Sequence, residues 1–157
     1  MKKKDIILFN NVGVLGISNH TLDAAHAYKV VRFRKAINKV LNEIASEQEA
    51  MANDAGFDKP IDEFFGERLK LYTVKNPTPE QLAQLGEMDK KIERYNELNG
   101  VMLEQEVKIE CPKIPYEVWR QLQNENKDNE LNGRKVDPLS GYVEDVLEDV
   151  FWSAPKE

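Results

Sequence analysis

Cysteine is nearly missing from this chain. Cys111 stands alone in 157 residues, so no intramolecular disulfide can form and a reducing compartment is the simpler expectation. Histidine is almost as scarce, with His20 and His26 six positions apart. Zinc sites draw on tighter local pairs such as Cys-x2-Cys or His-x3-His, so no metal is expected. Long apolar runs are lacking too. Ile6–Phe9 is the longest uninterrupted one, far short of the ~20 residues that span a bilayer, and no membrane association is expected. Met1-Lys-Lys-Lys-Asp5 has the basic start of a signal peptide, yet only four apolar residues follow before Asn10-Asn11 and no small-residue cleavage site appears. It reads as a solvated N-terminus. Asn11-Val-Gly-Val-Leu-Gly16 lacks the full Gly-x-Gly-x-x-Gly pattern and the Lys-Ser/Thr of a phosphate loop, so no nucleotide cofactor is expected.

What is present is 41% hydrophobic and 32% charged residues with a net charge of −6, enough apolar material for a single domain over 1–157. Ile6–Phe9 and Val12–Ile17 flank Asn10-Asn11, which predicts a β-hairpin over 6–17. From about Thr21 to Ala55 the period becomes helical: Val30, Phe33, Ile37, Val40 and Ile44 step by three and four, and Gly56 is placed to stop a long helix. At 1.5 Å per residue this is a rod of roughly 50 Å with one apolar stripe, and it needs a partner. Thr78-Pro79-Glu80-Gln81 starts one with a hydroxyl cap, proline at the first helical position and Gln two residues later. Leu85, Met88, Ile92, Tyr95 and Met102 continue it to about 105. The two are expected to pair as an antiparallel hairpin, Val30–Ile44 against Leu85–Met102, with the apolar segment 57–77 capping its far end. Val107, Ile109 and Cys111 alternate with Lys108 and Glu110, predicting a strand over 106–111 that closes a small sheet with the N-terminal hairpin. Short helices follow over 115–124 and 139–152, the latter started near Asp137-Pro138 or Ser140. The polar stretch 124–135 between them reads as a mobile loop. The predicted fold is thus α+β and mainly α: a long antiparallel helical hairpin with a small antiparallel sheet at one end and short C-terminal helices.

No residue pattern marks an enzyme, and no catalytic residue is assigned. Cys111 on an alternating strand is better read as a small buried hydrophobe than as a nucleophile. Glu144, Asp145, Glu148 and Asp149 read as a solvated helix face, because nothing around them implies the apolar pocket that a general acid needs. His26–Lys39 carries Lys29, Arg32, Arg34, Lys35 and Lys39 with no acid. It could track phosphates. Antiparallel pairing would instead bring Glu93, Glu97, Glu104 and Glu106 alongside, or the acidic last helix could dock there, so internal charge complementarity is the preferred reading. Lys29, Arg32, Arg34 and Lys35 are therefore kept as candidate interaction residues. Trp119, Phe151 and Trp152 join them, as aromatic anchors that either close the chain's own core or meet a partner.

Two stretches, His26–Ile44 and Ile92–Leu98 with Glu104–Ile114, carry a resemblance. The first resembles the opening long helix of short phage- and prophage-encoded helical proteins. The second is similar to their Tyr/Phe-Asn-x-Leu helix running through an acidic turn into a strand. The resemblance covers about half the chain and transfers no catalytic residue. It implies an accessory, tail or assembly role, through self-association or contact with a virion component, in the host cytoplasm or on the virion. The alternative is a nucleic-acid-associated regulator using segment 29–39, although nucleic acid is not the expected partner of so acidic a chain.

Overall fold

The computed structural model describes residues 1–139, 141–148 and 150–153. It is mainly helical, at 66%, with a small two-stranded antiparallel sheet. The helices are α1 (Lys3–Asn11), α2 (Ala24–Ala55), α3 (Ile61–Tyr72), α4 (Pro79–Leu103), α5 (Tyr116–Asn126) and α6 (Tyr142–Glu148). Strands β1 (Glu130–Leu131) and β2 (Arg134–Lys135) form the sheet. Where one core is expected from the sequence, the chain divides into two compact units: Met1–Asn42 with Glu106–Glu157, and Glu43–Gln105. Helix α2 contributes to both.

The second unit is the hairpin. Gln48 Nε2 donates to Asn99 Oδ1 at 3.2 Å, and Asp54 lies 4.0 Å from Arg94, so residues advance along α2 as they recede along α4. Asn99, the polar interruption of the apolar seam, thus gains a partner that fixes this register. Thr78 caps α4 as its sequence predicts: Gln81 N–H donates to the Thr78 hydroxyl at 3.1 Å and Thr78 N–H to the Gln81 side chain at 2.9 Å. Ala52, Phe57, Phe64, Met88 and Tyr95 form the core. Phe57 and Phe64 stack at 3.9 Å, with Tyr95 5.3 Å from Phe57. The segment expected to cap the hairpin does so as α3, held by its aromatic face.

This register also limits the pairing. Continued from Gln48–Asn99, it brings the end of α4 at Leu103 level with about Ile44 of α2. Val30, Phe33, Ile37 and Val40 therefore do not bury against α4. They belong to the first unit, where Phe33 stacks on Phe151 at 4.2 Å.

In the first unit the expected β-hairpin over 6–17 is replaced by α1 and a single 3-10 turn, Val14–Gly16. A four-residue apolar run fits either period. The helix wins because Ile6 and Phe9, three apart, both bury completely, while the Asp5 carboxylate accepts Lys2 N–H at 2.9 Å in the first turn. Gly13, at φ +83°, then ends it in the left-handed region. With no N-terminal strand available, residues 106–111 form no strand either. They carry one isolated antiparallel bridge, Glu106 with Lys2, and are alternately half-buried and exposed from Val107 on, with Val107 N–H on Met1 C=O at 2.8 Å. The sheet lies instead in the stretch expected to be a mobile loop. Asn132 (φ +53°) and Gly133 (φ +76°) make the tight turn that pairs Leu131 with Arg134 and Glu130 with Lys135. Helix α5 begins at Tyr116, with Pro115 as its N-cap, one residue after the expected start. The last helix is shorter than 139–152, and Ser140 and Asp149, the proposed cap and one of its acids, lie outside the described residues.

Candidate functional site

The seven candidate residues fall into two groups. Trp119 and Phe151 are completely buried and Trp152 is 5% exposed, so the C-terminal aromatics dock within their own unit. Trp119 stacks on Trp152 at 5.3 Å and meets Phe151 edge-on at 6.1 Å. The backbone secures this docking: Ile114 N–H donates to Phe151 C=O at 2.9 Å and Ser153 N–H to Ile114 C=O at 3.2 Å. These three residues are core anchors and present no face to a partner.

The basic segment of α2 splits by helical phase. At 100° per residue, Tyr28, Arg32, Lys35 and Lys39 lie within roughly 60° of one another, opposite the buried seam of Val30, Phe33, Ile37 and Val40. All four are exposed, Tyr28 at 62%. Lys29 sits on the flank, where its charge helps to hold the Asp23 carboxyl below the usual carboxylate range, after the larger effect of the hydrogen bond from His26 N–H. Arg34 points the other way. Burial pulls its guanidinium below its ordinary pKa, opposed by the charge of Glu125, and its Nε and one Glu125 oxygen are enclosed without hydrogen-bond partners. Arg34 therefore leaves the basic face.

The expected neutralisation of that face by Glu93, Glu97 and Glu106 is not observed. The α4 register places Glu93 and Glu97 opposite about residues 50–54, and Glu97 lies 3.6 Å from Arg94. Glu106 takes the Met1 amine at 2.9 Å. Among the described residues, no ion pair engages Arg32, Lys35 or Lys39.

Groups able to do covalent chemistry are dispersed. His26 Nδ1 lies 2.7 Å from Asp23 at the start of α2, while His20 is exposed. Among the described residues no three His, Cys, Asp or Glu side chains converge on one point. The half-buried Cys111 thiol donates to Val150 C=O at 3.4 Å. Burial pushes its pKa up, against the opposing charges of Arg32 and Lys113. The thiolate is the reactive form, so native Cys111 should react slowly with iodoacetamide at pH 7.5 and at least tenfold faster in denaturant, where the pKa returns to about 8.5. Native labelling as fast as that of a free thiol would show an activated cysteine.

Two features escape sequence reading. One is a clamp at the end of α5. Fully buried Asn126 accepts Ser18 N–H at 2.7 Å and donates to Ser18 C=O and Leu122 C=O, each at 2.8 Å. Glu125 accepts Thr21 N–H at 2.6 Å, and Gln121 donates to Thr21 C=O at 2.5 Å. The polar spacing Gln121, Glu125, Asn126 is a signal only in retrospect. The other is an apolar concentration beside the α3–α4 turn, where Leu69, Tyr72 and Leu82 are 60%, 66% and 55% exposed. Arg68 and Asp89 join the two helices at 2.7 Å. Tyr72 lies one turn past Arg68 and Leu82 two turns before Asp89, so both continue the same stripes towards the turn. Compared with known protein families, with curated proteins and with solved structures, the chain matches none of them.

Proposed function

We propose that this chain is a non-enzymatic structural or assembly protein that acts through contact, with self-association through the α3–α4 turn as its first step. The observation that carries this reading is that three large apolar side chains flanking the α3–α4 turn, Leu69, Tyr72 and Leu82, stand exposed, Tyr72 with the Arg68 guanidinium 5.6 Å from its ring, while the aromatic core of the hairpin is buried. Apolar groups concentrated in this way and rimmed by polar residues mark interaction surfaces. A second copy fits as the partner because the rim carries both signs, Lys70 and Lys75 beside Glu80, all exposed. A two-fold axis between the two signs sets Glu80 of each copy against a lysine of the other. The resemblance of His26–Ile44, and of Ile92–Leu98 with Glu104–Ile114, to phage and prophage helical proteins supports placing the assembly in that setting. No described helix is long and apolar enough to cross a membrane.

Sedimentation velocity tests the proposal. The wild-type chain should show a concentration-dependent dimer, and the pair Tyr72→Lys and Leu82→Lys should weaken it at least tenfold with the helical content unchanged. A strict monomer at hundreds of micromolar, or a dimer indifferent to both changes, would overturn it.

A further inference from the structure

We propose that the outward face of α2 from Tyr28 to Lys39 binds single-stranded nucleic acid, with Arg32, Lys35 and Lys39 on the phosphates and Tyr28 as a stacking platform for a base. The inference goes beyond the assembly reading and uses residues of the other unit.

The geometry is that of a linear cationic track. Lys29 to Lys39 covers about 15 Å of helix, and the three outward cations rise about 4.5 and 6 Å apart. Their side chains share one exposed face, and among the described residues no ion pair engages Arg32, Lys35 or Lys39. No acid occurs between Asp23 and Glu43, so this stretch of helix itself contributes only positive charge despite a net charge of −6. Screening confines the influence of the distant acids, since charges more than about 10 Å away are largely damped at 0.1 M salt.

An acidic protein is the other class of polyanion such a track could hold. The exposed aromatic decides between them. Tyr28 stands in water one turn before Arg32 and two turns before Lys35, on the same stripe as the cations. A base stacks on such a ring whatever its identity, whereas a carboxylate-rich peptide has nothing to place there. Asn38 and Asn42, also exposed and close to the face, add neutral donors suited to phosphate oxygens.

The test is fluorescence anisotropy of a labelled mixed-sequence DNA 20-mer with the full chain at 50 mM salt. Binding is expected, with log K falling against log salt at a slope near −2 for about three phosphates neutralised on a single strand. Arg32→Glu with Lys35→Glu should lower affinity at least tenfold and flatten the slope. Tyr28→Ala should cost about tenfold with the slope unchanged, the mark of stacking. Arg134→Glu with Lys135→Glu, on the β-hairpin, should leave binding unaltered and so exclude a general charge effect. Circular dichroism confirms that each variant is folded. Absence of binding at 50 mM salt overturns the proposal, as does binding that survives the Arg32/Lys35 change. Displacement of the 20-mer by polyglutamate at equal charge concentration, with Tyr28→Ala silent, also overturns it and assigns the face to an acidic protein.

Discussion

Phe151→Ala will lower the stability of the first unit by about 3–5 kcal/mol, the cost of removing a buried phenyl ring and leaving its cavity. The ring is completely buried, stacked on Phe33 at 4.2 Å and lying 6.1 Å from Trp119. It thereby joins the C-terminal segment to the part of the α2 seam that α4 does not cover. Small domains hold only about 5–15 kcal/mol in total, so the change consumes a large share of what is available. Tryptophan fluorescence in a urea titration reads the effect directly. Both tryptophans, Trp119 and Trp152, belong to the first unit, and residues 43–105 contain none. The fluorescence midpoint should fall sharply for Phe151→Ala. Phe57→Ala, which opens the other aromatic core, should show its primary loss in far-UV circular dichroism. A midpoint shift worth less than about 1 kcal/mol for Phe151→Ala would mean that the terminal segment only rests on the core rather than completing it.

Helix-level information was legible in the sequence wherever one residue pattern admitted one period. Twenty-five residues of α4 announce themselves through Thr78, Pro79 and Gln81 at the start and a seam that never breaks phase. Helix α2 is equally plain, because five seam residues in phase cannot be a strand. Its partner was not legible, since a stripe states that it will be covered and not by what. Val30–Val40 and Ile44–Met51 look alike in sequence, yet only the second part meets α4. Ile6–Phe9 failed for a different reason: four apolar residues carry too little period, and the decision rested on Asp5 as a first-turn acid and on burial of Ile6 with Phe9. The Asn132-Gly133 turn is a strong hairpin signal in itself, obscured by flanking residues of low apolarity.

The candidate surfaces show the same division. Five cations without an acid can be counted in the sequence, and helical phase alone assigns Arg32, Lys35 and Lys39 to one side. That Arg34 turns inward towards Glu125 depends on a chain contact across about ninety residues, which no local pattern encodes. The aromatic anchors Trp119, Phe151 and Trp152 were ambiguous for the reason that makes aromatics useful: core and interface want the same side chains. The exposed Leu69 and Tyr72 were masked by lying in the apolar segment 57–77, expected as a cap, and Leu82 by lying in the first turn of an amphipathic helix.

Asn126→Asp should couple the first unit's stability to pH in a direction that identifies the clamp. The native amide uses its full capacity: two donors to Ser18 C=O and Leu122 C=O, and an oxygen that accepts from Ser18 N–H and, at 2.9 Å, from Asn129 Nδ2. An ionised carboxylate in the same place would turn an acceptor towards two carbonyl oxygens in a site without water access. A protonated carboxyl still donates to one of them. Folding therefore favours the neutral form and raises the introduced group's pKa above its unfolded value of about 3.9. With the folded pKa raised, the variant is at its most stable below pH ~4, loses stability as pH rises to the folded pKa, and stays at its minimum above it. At pH 7 the deficit relative to wild type should reach about 3–5 kcal/mol, the scale of an uncompensated buried charge. Asn126→Ala, which removes every one of these bonds without adding charge, should cost about 1–3 kcal/mol for the polar groups it strands, independent of pH. Urea titrations of the three proteins at pH 4 and pH 7, read by tryptophan fluorescence, separate the cases. Equal deficits for Asn126→Asp at both pH values would mean that water reaches the site and that Ser18 is not held by a dry amide bridge.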